Sequence, residues 1–159
     1  MRHLGKLIGI LLLLTACEGT VNQSSVPRSP VHLEINTKLE FTDFVPSNLY
    51  SYITVNQNGY KENGKFKKNV TMTDAWGYGG VVVYISDAGY VAFDLACPYC
   101  ASRGMNSPCD VDGISAVCPT CGEEYELWSG YAFPRKGISR EAMRRIEVFH
   151  SGDIISVRQ

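Results

Sequence analysis

The residues best equipped for chemistry are thiols. Four of the six cysteines stand in two short repeats, Cys97-Pro98-Tyr99-Cys100 and Cys118-Pro119-Thr120-Cys121, with seventeen residues between them. The pattern C-x2-C-x17-C-x2-C falls in the window of paired metal knuckles, where two loops each offer two sulfurs to a shared centre. Thiolates suit zinc and iron equally: four satisfy a tetrahedral zinc ion, and four complete a 2Fe-2S cluster. Cys109, between the repeats, competes with Cys100 as fourth ligand or serves as a disulfide partner. Disulfides are the third use open to these thiols in an oxidising compartment, although the five cysteines other than Cys17 cannot all pair. The histidines, His3, His32 and His150, are all far from the repeats in sequence. A nucleophilic cysteine therefore lacks its base, and no hydrolytic arrangement is visible. An electron-transfer or binding component fits better than a stand-alone enzyme.

The compartment is addressed by the first residues. Met1 to Ala16 place Arg2 and Lys6 ahead of an apolar run from Leu7 to Leu14, the layout of an export signal and too short to span a bilayer. Leu14-Thr15-Ala16-Cys17 resembles a bacterial lipobox. That resemblance implies a signal peptide over 1–16, acylation of Cys17 and a cell-envelope protein held on a membrane by its lipid. Glu18 is not the Asp associated with inner-membrane retention in some bacteria, which favours the outer membrane. Residues 17–30 then form the anchor and a tether rich in Ser, Pro, Asn and Gln. The rest, 31–159, fits one small domain. Fifteen Lys and Arg against sixteen Asp and Glu leave a formal net charge of −1, which gives no nucleic-acid footprint. The basic clusters Lys65 to Lys68 and Arg144-Arg145 read as solvated surface.

The elements that must carry the thiols read mainly as strands. Val31 to Phe41 alternates apolar and polar residues, and Tyr50 to Val55 is β-branched and aromatic before the turn Asn56-Gln57-Asn58-Gly59. Gly80 to Ile85 and Tyr90 to Leu95 form a hairpin that ends at Cys97. Gly113 to Val117 and Glu124 to Trp128 form a second around Cys118. Arg145 to Phe149 and Ile154 to Val157 make the last pair, with His150 in the turn between them. Only Ser139 to Met143 carries helix-like residues, and it is too short to stand alone. The Asp110-Val111-Asp112-Gly113 stretch reads as a β-turn rather than a calcium loop, and Gly77-Tyr78-Gly79-Gly80 as a turn or bulge. Trp76, Tyr78, Tyr99, Tyr125 and Trp128 read as core or as cover over the thiol site.

Cys118-Pro119-Thr120-Cys121-Gly122-Glu123-Glu124-Tyr125-Glu126-Leu127, followed by Ser129-Gly130, resembles the second cluster loop of Rieske iron-sulfur proteins. Tyr90 to Cys97 is similar to the strand that leads into that family's first loop, and the strand, Gly turn and strand at the carboxyl end match its tail. The resemblance covers about residues 78 to 159. It implies an all-β, Rieske-like antiparallel sandwich with a two-loop metal subdomain, a 2Fe-2S cluster, one-electron transfer and a redox protein partner. Both family histidines are missing: Cys121 stands at one of those positions and Tyr99 at the other, beside Cys100. Cys97 and Cys118 are the ligands that match residue by residue. An all-cysteine cluster would have a potential toward plant-ferredoxin values, with less dependence on pH. A non-redox protein of the same fold, with zinc or disulfides, is the alternative.

Overall fold

A computed structural model describes residues 24–159. Residues 1–23, which include the stretch read as a signal peptide, Cys17 and the first part of the stretch read as a tether, lie outside the described residues. The described residues are all-β, with thirteen strands and one short helix among them. In order these are β1 (Val31–Asn36), β2 (Tyr52–Asn56), β3 (Gly59–Glu62), β4 (Lys65–Lys68), β5 (Ala75–Trp76), β6 (Val81–Ser86) and β7 (Gly89–Asp94), then α1 (Pro98–Ala101). After it come β8 (Asp110–Val111), β9 (Ser115–Val117), β10 (Glu124–Glu126), β11 (Pro134–Lys136), β12 (Arg145–Ser151) and β13 (Ile154–Arg158).

Nine strands form one antiparallel sheet in the order β4-β3-β2-β6-β7-β12-β13-β1-β5, and four form a smaller one in the order β11-β10-β9-β8. Side chains alternate across a strand, so a strand between two layers must be apolar on both faces. β6 meets that condition: all six of its residues are buried. Val81, Val83 and Ile85 enter a core with Leu33, Ile35, Ile53, Val55, Ile155 and Val157 inside the large sheet. Val82 and Tyr84, with Val91 and Phe93 of β7, enter a second core with Ala116 and Tyr125 of the small sheet and Leu127 just past it. β6 and β7 are thus the wall between the two cores. The cysteines lie in the second.

Several elements differ from the sequence reading, each for a local reason. β1 stops at Asn36 because the Asn36 side-chain oxygen accepts the backbone N–H groups of Lys38 and Leu39, both at 3.0 Å. This turns the chain before Phe41, which re-enters the first core fully buried. The basic cluster Lys65 to Lys68 is an edge strand, with Lys67 on Glu62 at 2.8 Å and Lys68 on Glu40 at 2.6 Å. Ser139 to Met143 is coil, and His150 belongs to β12, its ring edge-on to Tyr90 at 5.0 Å.

The stretch read as a tether through Pro30 is docked from Ser24 onward. Val26 is fully buried, Arg144 donates from Nε to its carbonyl at 2.7 Å and from Nη2 to that of Ser24 at 2.9 Å, and Ser25 donates to the Glu141 carboxylate from N–H and hydroxyl. A single apolar residue among polar ones gave composition no sign of this. Among the described residues no helix is long and apolar enough to cross a membrane.

Candidate metal centre

The two cysteine repeats are brought together by different local devices. In the first, β7 delivers the chain to Cys97, whose extended backbone starts α1 with Pro98 at its first position. Proline presets the helical φ and lacks an amide that the first turn would leave unpaired. One turn follows, with Ala101 N–H on Cys97 O and Ser102 N–H on Pro98 O, both at 2.9 Å. That turn sets Cys100 beside Cys97. The chain then runs back antiparallel to its entry, with Cys97 N–H donating to Ser107 O at 2.9 Å and Cys109 N–H to Leu95 O at 2.7 Å. Ser107 is thereby placed under the site.

In the second repeat, β9 and β10 pair, and their connection closes with Cys118 N–H on Glu123 O at 2.8 Å and Gly122 N–H on Cys118 O at 2.9 Å. Gly122 has φ +75°, a left-handed conformation that is strained for residues with a Cβ. It completes the tight loop that presents Cys118 inward and leaves Cys121 outermost. Glu123, buried beside this loop, accepts the N–H groups of Ile138 at 2.7 Å and Ser139 at 3.0 Å and ties the next connection to it.

A glycine and a carboxylate hold the first loop against the large sheet. Asp94, at the end of β7 and 1% exposed, accepts from Tyr78 N–H at 2.7 Å, Gly79 N–H at 2.9 Å and Ala96 N–H at 2.9 Å. Burial pushes its pKa upward, while the three amides and nearby Arg144 pull it down. The Gly77 to Gly80 stretch, read as a turn or bulge, turns at residues 77–79, and a Cβ on Gly79 would stand 2.5 Å from Ala96 N, so it is also a close crossing of two backbones. Of the Asp110 to Gly113 stretch read as a β-turn, Asp110 and Val111 are instead strand β8, paired with β9, and the chain turns only after them, with Ser115 N–H on the Asp112 carboxylate at 3.1 Å.

The sulfurs of Cys97, Cys100, Cys118 and Cys121 all lie within 4.8 Å of one another. Sγ of Cys97 is 3.6 Å from that of Cys121, and Sγ of Cys100 is 3.7 Å from that of Cys118, so each close pair joins the two loops. These distances are far beyond an S–S bond, and the five cysteines among the described residues are free thiols. The four sulfurs could hold a metal ion. A tetrahedron with zinc–sulfur bonds of about 2.3 Å has edges of about 3.8 Å, close to the two shortest separations. Of the two candidates for the fourth position, Cys100 is in the cluster. Cys109 is buried next to it, against Cys97.

Protons are unevenly held. Hydrogen bonding from Cys109, and then from Tyr125, pulls the Cys97 thiol down to about 4 against the effect of burial. The same hydrogen bond pushes the Cys109 thiol up, with burial adding to it. Burial pushes Cys100 up to about 11 and raises Cys121 as well. Without metal, Cys97 therefore favours the thiolate while Cys100 and Cys121 hold their protons, which an entering cation must displace.

Two hydroxyls face the sulfurs. Tyr125 Oη lies 3.4 Å from Cys97 Sγ, and Ser107 Oγ lies 3.3 Å from Cys118 Sγ and 2.6 Å from Thr120 Oγ1. Tyr125 was among the aromatics read as cover; Ser107 carries no sequence signal, since only the return of the chain along Leu95 to Cys97 brings it there. The other aromatics divide. Tyr99 stacks under the Arg103 guanidinium at 3.7 Å, Trp76 packs on the first core, and Trp128 is 44% exposed, away from the cover role. No family model matches the chain, and no curated protein matches it.

Proposed function

We propose that this chain is a lipid-anchored cell-envelope protein whose Rieske-like domain is built around a four-thiolate metal centre. The observation that carries the reading is the convergence of Cys97, Cys100, Cys118 and Cys121 from two strand-ended loops to mutual sulfur distances within 4.8 Å. A two-layer arrangement in which a small sheet bearing one knuckle packs on a larger sheet bearing the other supports the resemblance in residues 78 to 159. The sulfur spacing supports a single tetrahedral ion best, because two bridged irons would set opposite thiolate pairs further apart. The centre is then zinc, which pins the two loops together and moves no electron.

The second reading is a 2Fe-2S one-electron carrier working with a redox protein partner. It is favoured by Tyr125 and Ser107, whose hydroxyls face Cys97 and Cys118, since hydrogen bonds to sulfur tune the potential of iron-sulfur centres. Four thiolates would place that potential toward plant-ferredoxin values. Metal and acid-labile sulfide analysis, with a visible spectrum, on protein purified without oxygen separates the two. One zinc per chain and no chromophore supports the first reading. Iron matched by sulfide, with charge-transfer absorption, replaces it with the second. Absence of both metals with paired thiols sinks both.

A further inference from the structure

One exposed surface combines aromatic, aliphatic and basic residues next to the point where the amino-terminal segment docks. It is the edge of the small sheet, β11 and the connections on either side of it. Tyr131 and Phe133 are 58% and 54% exposed and stack on each other at 5.5 Å, and Ile138 is 71% exposed. Arg135, Lys136 and Arg140, interleaved with them, are exposed too. Of the acidic residues alongside, Glu123 is buried on two amides and Glu126 on Ser129, while Glu124 accepts from the Ser115 hydroxyl at 3.0 Å and stands 4.0 Å from Arg135, a long contact that leaves the Arg135 side chain 56% exposed. An exposed edge of this composition matches the headgroup layer of a bilayer, where aromatic rings sit at the boundary and basic side chains meet anionic lipid.

The place where the chain leaves the domain selects the same edge. Ser25 is held on Glu141, one residue from Arg140, and Met143 N–H donates to Ala132 O at 3.1 Å, which joins the docking site to the aromatic pair. From Cys17 to Ser24 is seven residues, a reach of at most roughly 25 Å. A domain of this size has a radius of gyration of roughly 14 Å and so a diameter of roughly 37 Å. With Ser24 pinned, an acyl group on Cys17 cannot leave the opposite side of the domain against the membrane.

We propose that the Tyr131 to Arg140 edge is the membrane-facing surface of the domain and lies on an anionic phospholipid headgroup layer. This rests on the lipid-anchor part of the function proposed above.

The test uses the full processed chain reconstituted in vesicles of phosphatidylglycerol and brominated phosphatidylcholine. Phe133→Trp, with Trp76→Phe and Trp128→Phe, puts the only tryptophan on the edge; Phe66→Trp in the same background puts it on β4, an edge strand of the large sheet where Phe66 is 56% exposed. The expected result is bromine quenching several-fold stronger at position 133 than at 66, lost in R135E/K136E/R140E and weakened by about 1 M salt. Equal quenching, or stronger quenching at 66, overturns the proposal. Hydrogen exchange on the unmodified chain reads the same contact without these substitutions: slower exchange across residues 131–140 in anionic than in pure phosphatidylcholine vesicles is expected, and no difference overturns it. The mass of the amino-terminal peptide separates the two ideas. An unacylated Cys17 removes the anchor and this surface together, whereas an acylated chain with unquenched position 133 removes this surface alone.

Discussion

The four sulfurs of the centre differ in their surroundings, so single substitutions distinguish ligand from neighbour. Cys121→Ser removes one of the four donors. Its metal affinity is expected to fall by more than the 10- to 100-fold typical of losing a group that only supports a ligand, as read by competition with a chromophoric chelator. Cys109→Ser is expected to leave the metal stoichiometry unchanged, because Cys109 is outside the set of mutually close sulfurs. Equal metal loss in both variants would return the fourth-ligand question to Cys109. The protons give a second test. Cys100 is held up to about 11 and Cys121 is raised, so at neutral pH both must release a proton on binding, while Cys97, pulled down to about 4, need not. Affinity is therefore expected to rise with pH across the neutral range and fall toward acid, and a titration of apparent affinity from pH 6 to 9 that stays flat would contradict these protonation states.

At the scale of elements, the site depends on joints that hold loop to sheet. Asp94 satisfies three backbone amides from two segments, Tyr78-Gly79 and Ala96. Asp94→Ala leaves those donors buried without partners and is expected to destabilise the domain by about 3 kcal/mol, read as a lowered urea midpoint. A loss under about 1 kcal/mol would mean that water replaces the carboxylate there. The proposed metal centre is the other: its four candidate sulfurs sit at the start of the 97–109 excursion and in the β9–β10 connection. Stripping the metal with a chelator is expected to speed amide exchange in those two segments while β1, β6 and β13 of the first core keep their protection. Uniform loss of protection would instead make the two cores a single cooperative unit.

The whole molecule is two cores sharing the wall formed by β6 and β7, strapped by an amino-terminal segment that Arg144 holds through the carbonyls of Ser24 and Val26. Arg144→Met removes these charge-assisted donors, and the strap is expected to open at least about tenfold more often, seen as faster proteolysis between residues 24 and 30 with the rest of the domain intact. Unchanged cleavage would show that burial of Val26 alone holds it.

The strand-rich class, the hairpin ending at Cys97, the one around Cys118, and the four candidate thiols were legible because each is a local pattern: alternation or an apolar run, a turn signal, and a repeat at fixed spacing. The short edge strands β4, β5, β8 and β11 were not, since their pairing is fixed by neighbours and not by their own composition. The sequence by itself determined that four thiols would stand at two strand ends. Only the tertiary structure decided that Cys100 and not Cys109 completes the cluster of close sulfurs, that Ser107 and Tyr125 face the sulfurs, and that Val26 is interior. Those are matters of which side chains meet after distant backbones cross, at Gly79 on Ala96 and at Leu95 to Cys97 along the return to Cys109.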